Sequence, residues 1–297
     1  MTKTDSPIHR KVSRAVSWEP SLREKERTRI RKSILRRRIV ISVLSSIMVL
    51  GILAGALINS PGWSVVTTTF FDTEYGLKVL HLVARGLVTN IELTIIASVA
   101  IGSLSLLLAL ARTSRSAALT PLRFLATAYV DIFRGIPLIL VILLVGFGVP
   151  ALRLQGVTSN VFVLGTTAIV LTYSAYVAEV IRSGILSVHP SQRAAARSLG
   201  LTHNQTMRHV VLPQAIRRVI PPILNDFISL LKDTGLVSIL GVIDAVRAGQ
   251  IESSRTFNYT PYVVSAILFL LITIPLTRYT DFVLLKSIDK QNAQGSA

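Results

Sequence analysis

Long uncharged apolar runs, broken by short polar segments, set the pattern of the chain. Ile39–Ile58 runs 20 residues without a charge. At a helical rise of about 1.5 Å per residue this covers a hydrocarbon core of about 30 Å. Further uncharged runs are Leu93–Ala111, Gly135–Leu152, Leu154–Ala178 and Thr256–Thr277. Gln214–Gly241 is also apolar but carries Asp226, Lys232 and Asp233. The pattern predicts six transmembrane helices, near 39–58, 86–111, 124–149, 161–184, 214–241 and 258–278. The expected fold class is therefore all-α integral membrane.

Composition agrees with this reading. Of 297 residues, 51% are hydrophobic and only 16% are charged, against about 25% charged in a soluble domain. There is no cysteine, which excludes disulfide frameworks, thiolate metal sites and cysteine nucleophiles. The net charge of +17 fits either nucleic-acid binding or a topology signal, and its distribution decides. Residues 1–38 hold 13 of the 32 basic residues. With this tail inside, the inner segments 1–38, 112–123, 182–218 and 278–297 carry 25 Lys or Arg, against 5 in the outer segments 59–85, 150–160 and 242–261. That bias predicts a plasma-membrane protein with both termini cytoplasmic and no nucleic-acid partner. A charged lead of this length is too long for a signal peptide, so the first apolar run is expected to be an uncleaved anchor. Gly51 and Gly55 give it a weak helix-packing signature. The tail itself is expected to be a disordered topology signal, with Arg36-Arg37-Arg38 able to meet anionic membrane lipid.

The segment 189–213 is the longest inner loop, and its residues predict order. Pro190 suits the first turn of a helix, and Ala194-Ala195-Ala196 favours its propagation. Gly200 fits a left-handed cap, Thr202 with Gln205 forms a capping box, and Pro213 can start the next helix. Two short helices at a sharp angle are expected.

This loop resembles the EAA loop of ATP-binding-cassette importer permeases: small residues, then Gly200, then an aliphatic residue and Leu212-Pro213. Three flanking segments strengthen the resemblance: Tyr129–Pro137, Ala175–Ile185 and Asn225–Thr234. Together they are similar to the polar amino acid branch of that family over about 86–285. Two positions depart from its pattern, Ala194 where the loop usually begins with Glu, and Val210 in place of Ile.

The resemblance implies a type I importer permease core of five helices in 86–285, with coupling helices in 189–213. The core is preceded by an extra N-terminal helix at 39–58 and an extracytoplasmic loop at 59–85, and is followed by a cytoplasmic tail at 286–297. It implies import of a polar amino acid by a chain that is not itself an enzyme. The partners would be a cytoplasmic ATPase dimer, a second permease chain (identical or a paralogue) and an extracytoplasmic binding protein. ATP and Mg would belong to the ATPase, with no cofactor or metal in this chain. The sequence has no GxxxxGK[ST] P-loop. An ion-coupled secondary transporter is the alternative, but a solitary transporter has no use for a rigid two-helix inner loop. Ala194, Ala195, Ala196, Gly200, Leu212 and Pro213 are the expected ATPase-coupling residues. Candidates for the pathway or its gate are Glu179, Lys232, Asp233, Arg134 and Asn225, since charges in bilayer helices are costly unless used or paired. Arg134 has Asp131 at i−3 as its expected partner. Lys232 is expected to face the pathway, and Asp233 to support neighbouring structure. Pro221-Pro222 is expected to interrupt the hydrogen-bond ladder of the fifth helix, giving either freed carbonyls or a hinge near the pathway, or a plain packing kink. No spacing among the histidines suggests a metal site.

Overall fold

A computed structural model describes residues 21–114 and 116–295, with side chains as far as Lys286. The first 20 residues of the basic tail, and Arg115 of the second inner segment, lie outside the described residues. All regular structure among the described residues is helical. The chain divides into two units, Met1–Ser64 and Val65–Ala297.

The first unit is built on helix α1, Leu22–Ile58. It begins well before the apolar run, so residues 22–38 are helical rather than disordered. Ser21 caps the helix by accepting from the Glu24 N–H at 3.3 Å, and Glu24 lies in the first turn. Both features offset the unpaired N–H groups and positive end of the dipole, and Arg, Lys and Glu are good helix formers.

The second unit contains α3 (Thr73–Thr113), α4 (Thr120–Gly135), α5 (Leu138–Leu143), α6 (Val149–Ala151) and α7 (Val161–Leu186). It continues with α8 (Pro190–Ser198), α9 (His203–Thr206), α10 (Leu212–Asp233), α11 (Ala245–Thr256) and α12 (Thr260–Gly295). The boundary between the two units falls within the short α2 (Trp63–Phe70). At the centre, Leu93, Ala97 and Ile101 of α3 meet Ile142 of α5, Ile169 and Tyr173 of α7, and Leu230 of α10. The opposite side of α3 exposes Ile95, Ile96, Val99 and Leu107. A helix apolar on both its packed and its exposed sides suits lipid rather than water.

Four helical stretches are long and apolar enough to cross a membrane: Leu22–Ile58, Trp63–Thr113, Val161–Leu186 and Thr260–Lys286. The expected third span is not one straight helix. Ala117–Gly135 and Leu138–Ala151 meet at 105°, and form a fifth crossing if taken together. Ile136 is extended (φ −99°, ψ 132°) before Pro137, because a proline ring excludes its predecessor from the helical region. The expected fifth span is too rich in charge to stand among these stretches. Helix α10 carries Arg217, Arg218, Asp226, Lys232 and Asp233, and it gives way to a 3-10 turn over Thr234–Leu240. Six crossings are therefore not reached on length and apolarity alone. Pro221-Pro222 does not end α10: two N–H donors are missing, but the helix continues.

Candidate functional site: paired and unpaired charges

The loop 189–213 is ordered. Pro190 opens α8, with His189 as its cap. Gly200 has φ +82°, a conformation that side-chain-bearing residues resist. Thr202 and Gln205 form the capping box, with bonds of 2.8 and 3.3 Å. Pro213 stands in the first turn of α10, as expected. A π-helical turn over Met207–Val211 joins the second short helix to α10. Ala194, Ala195, Gly200 and Pro213 are exposed, as is Leu212 at the margin. Leu199 is 83% exposed. Ala196 lies on the packed side of α8 and is buried within the chain.

Glu179 lies toward the C-terminal end of α7 and gathers three guanidinium groups. Its Oε2 accepts from Arg112 Nη1 at 2.7 Å and from Arg182 Nε at 3.0 Å, while Oε1 accepts from Arg182 Nη2 at 2.5 Å. Arg134 Nη1 stands 3.9 Å from the same carboxylate, and its guanidinium lies over the Tyr176 ring at 6.0 Å. The expected Asp131 partner is not used. Asp131 is exposed, whereas Arg134 faces α7, against which α4 packs. Arg112 comes from the last turn of α3, where a cation also suits the helix dipole. One carboxylate thus ties α3, α4 and α7 together.

The end of α10 is different. Asp233 Oδ2 accepts from the Tyr173 hydroxyl at 2.7 Å, which joins α10 to α7. Its neighbour Lys232 is exposed, and its ammonium has no ion pair or hydrogen bond among the described residues. Lys232 and Asp233 line a groove of about 520 Å³ with Ser238, Arg247, Gln250 and Tyr262. Arg247 Nη1 donates to Gln250 Oε1 at 2.7 Å. Two cations and one carboxylate therefore line a groove that is more than roomy enough for a small zwitterion. Asn225 is exposed on α10 and is not among the residues that line the groove. Asp226 lines a separate small cavity of about 100 Å³ with Ser98, Gly102 and Tyr173, and its Oδ2 is buried without a hydrogen bond.

Sequence reasoning missed a third polar group. Asn90, Thr234 and Asp244 are all fully buried. Asn90 Nδ2 donates to Thr234 Oγ1 at 3.0 Å and to Asp244 Oδ2 at 3.1 Å, while its Oδ1 accepts from the Ala245 N–H at 3.0 Å. Asp244 Oδ1 also accepts from the Arg247 N–H at 2.7 Å, capping α11. This node fixes the helix that presents Arg247 to the groove. The available signal was a lone amide beside the apolar run of α3, which a bilayer penalises unless it is paired. Among the described residues, no group of His, Asp and Glu has the arrangement of a metal site.

Comparison with known proteins bears on these features. Residues 116–285 match the family described as binding-protein-dependent transport system inner membrane component. The probable glutamine ABC transporter permease protein GlnM of Bacillus subtilis is 42% identical over 160 residues, covering 53% of this chain and 72% of that protein. The arginine transport system permease protein ArtQ of the same organism is 30% identical over 207 residues, covering 69% and 92%. A crystal structure of an amino acid ABC transporter with histidines aligns at TM-score 0.66 with 33% identity, covering 71% of this chain and 96% of that one. An inward-facing methionine ABC transporter, MetNI, aligns at TM-score 0.57 and 20% identity and supports the fold alone. The chain belongs to the family of binding-protein-dependent transport system inner membrane components, as a multi-pass permease subunit of an ABC importer that works with a substrate-binding protein and leaves ATP hydrolysis to a separate ATPase.

Proposed function

We propose that this permease imports polar amino acids, with the groove at the end of α10 on the substrate path. The observation that carries this reading is Lys232, an ammonium without a partner, beside Arg247 and Asp233. An unpaired cation in an apolar helical protein is disfavoured unless water or an anion meets it, and an amino acid carboxylate is such an anion. The relatives named for glutamine and arginine, and the solved transporter holding histidines, support the substrate class.

The loop 189–213 meets the ATPase through Ala194, Ala195, Leu199 and Gly200. ATP and its magnesium belong to that subunit. A second permease chain completes the pathway. The excess of Lys and Arg in 1–38, 112–123, 182–218 and 278–297 supports both termini in the cytoplasm. Glu179 and Arg134 act through structure at the inner end of the helices, rather than by touching substrate.

The test is reconstitution with the matching ATPase and binding protein in proteoliposomes. ATP-dependent uptake of at least one labelled polar amino acid is expected. Uptake that proceeds without ATP, or no uptake of any amino acid tested, sinks the reading.

A further inference from the structure

The last turn of any helix leaves carbonyls without intrahelical partners. At the end of α7 these are taken up by side chains from two other helices. Arg193 of α8 donates from Nη2 to the Ile185 carbonyl at 2.6 Å. Arg218 of α10 donates from Nη1 to the Ser187 carbonyl, and also to Ser187 Oγ at 3.0 Å. Ser187 Oγ in turn donates to the Gly184 carbonyl at 2.7 Å. Cations at a helix C-terminus also gain from its dipole.

Beneath these bonds, Ile185, Val188, Val211 and Ala215 form a small buried core. Gly184 lets α10 approach so closely that a Cβ there would overlap Val219 Cγ1. The same joint therefore has an apolar floor and two arginine ties. From Arg218, α10 runs on to Lys232, about 20 Å away at helical rise.

We propose that Arg193 and Arg218 are positioning residues that fasten α8 and α10, respectively, to the end of α7, so that the three helices move as one lever between the ATPase and the groove. This rests on the reading that the loop 189–213 docks on the ATPase. Without the ties, α8 could still bind the ATPase, but its displacement would be absorbed in the non-helical link over residues 187–189. The ratio of amino acid imported to ATP hydrolysed is therefore the sensitive quantity.

The test uses the full complex in proteoliposomes, with Arg193→Ala, Arg218→Ala, and Lys at each position. The Ala variants should retain the ATPase and hydrolyse ATP, yet import about tenfold less per ATP, the scale of one lost charged hydrogen bond. The Lys variants keep a cationic donor and should recover most of the ratio. An unchanged ratio in the Ala variants overturns the proposal, as does loss of the ATPase from the Lys variants. A second measurement is independent of activity. The chain has no cysteine, so spin labels can be attached through single cysteines at the exposed Leu186 and Ala195. Their distance distribution should broaden when Arg193 is replaced by Ala, and an unaltered distribution counts against the tie. Leu199→Asp probes the docking reading separately. If that variant copurifies with the ATPase as well as the parent does, the docking reading fails, whereas a normal import ratio in the Ala variants sinks only the lever.

Discussion

Glu179 and Lys232 both place charge within apolar helices, yet their surroundings differ. Glu179 is drawn on by three arginines from α3, α4 and α7. Lys232 faces a groove with no partner of its own. The contrast separates two uses of a charge in the same solvent. A satisfied cluster fastens helices, and removing its centre strands the remaining charges. A lone charge at a groove contributes little to the fold and is available to a ligand.

The largest effect is expected at the satisfied cluster. Glu179→Gln leaves Arg112 and Arg182 without a counter-charge, and Arg112 is only 10% exposed in its side chain. Breaking one partner of a buried pair typically costs about 3 kcal/mol. Thermal unfolding in detergent should therefore shift clearly downward, whatever the substrate. A melting temperature equal to the parent's would end the distinction between the two regions.

Lys232→Met should behave in the opposite way. Stability should change by less than about 0.5 kcal/mol, as for a surface substitution without a partner. Uptake should fall about tenfold, the scale of a charged hydrogen bond to a carboxylate. Normal uptake across a panel of acidic, neutral and basic amino acids would make Lys232 a bystander.

Arg134→Gln sharpens the comparison from within the cluster. At 3.9 Å and with its side chain 42% exposed, Arg134 is the loosest member. Its loss should cost about 0.5 kcal/mol or less, measured in the same melting experiment. A cost close to that of Glu179→Gln would mean that the cluster acts as one cooperative unit rather than as a carboxylate with two strong partners.

The features legible in the sequence are those written locally. The apolar runs of α1, α3, α7 and α12 announce membrane helices. Pro190, Gly200 and the Thr202–Gln205 box announce the two-helix loop. The rest depends on residues far apart in the chain. Asp131 was the nearest candidate partner for Arg134, but Arg134 turns toward Glu179 on another helix. Arg112 lies 67 residues from Glu179, and nothing local links them. The bend at Pro137 was masked by the unbroken apolar run that spans it, since hydropathy carries no information about direction. Arg193 and Arg218 read as topology signals because each is one of many basic residues on that side, and only the geometry of the α7 terminus gives them separate work.

The bond between Asn90 and Asp244 also has a consequence in time. The two residues lie 154 positions apart, so at about 5–20 residues per second of synthesis Asn90 emerges roughly 8–30 s before Asp244 exists. For nearly all of that interval, until Thr234 is made, the amide has no native partner. The helix around Asn90 must therefore enter the bilayer provisionally, with the amide solvated by water or held by the insertion machinery. It is locked in place only when the backbone at Ala245 arrives. Truncating the nascent chain before residue 244 should leave that span open to extraction or re-orientation, and a few residues more should fix it.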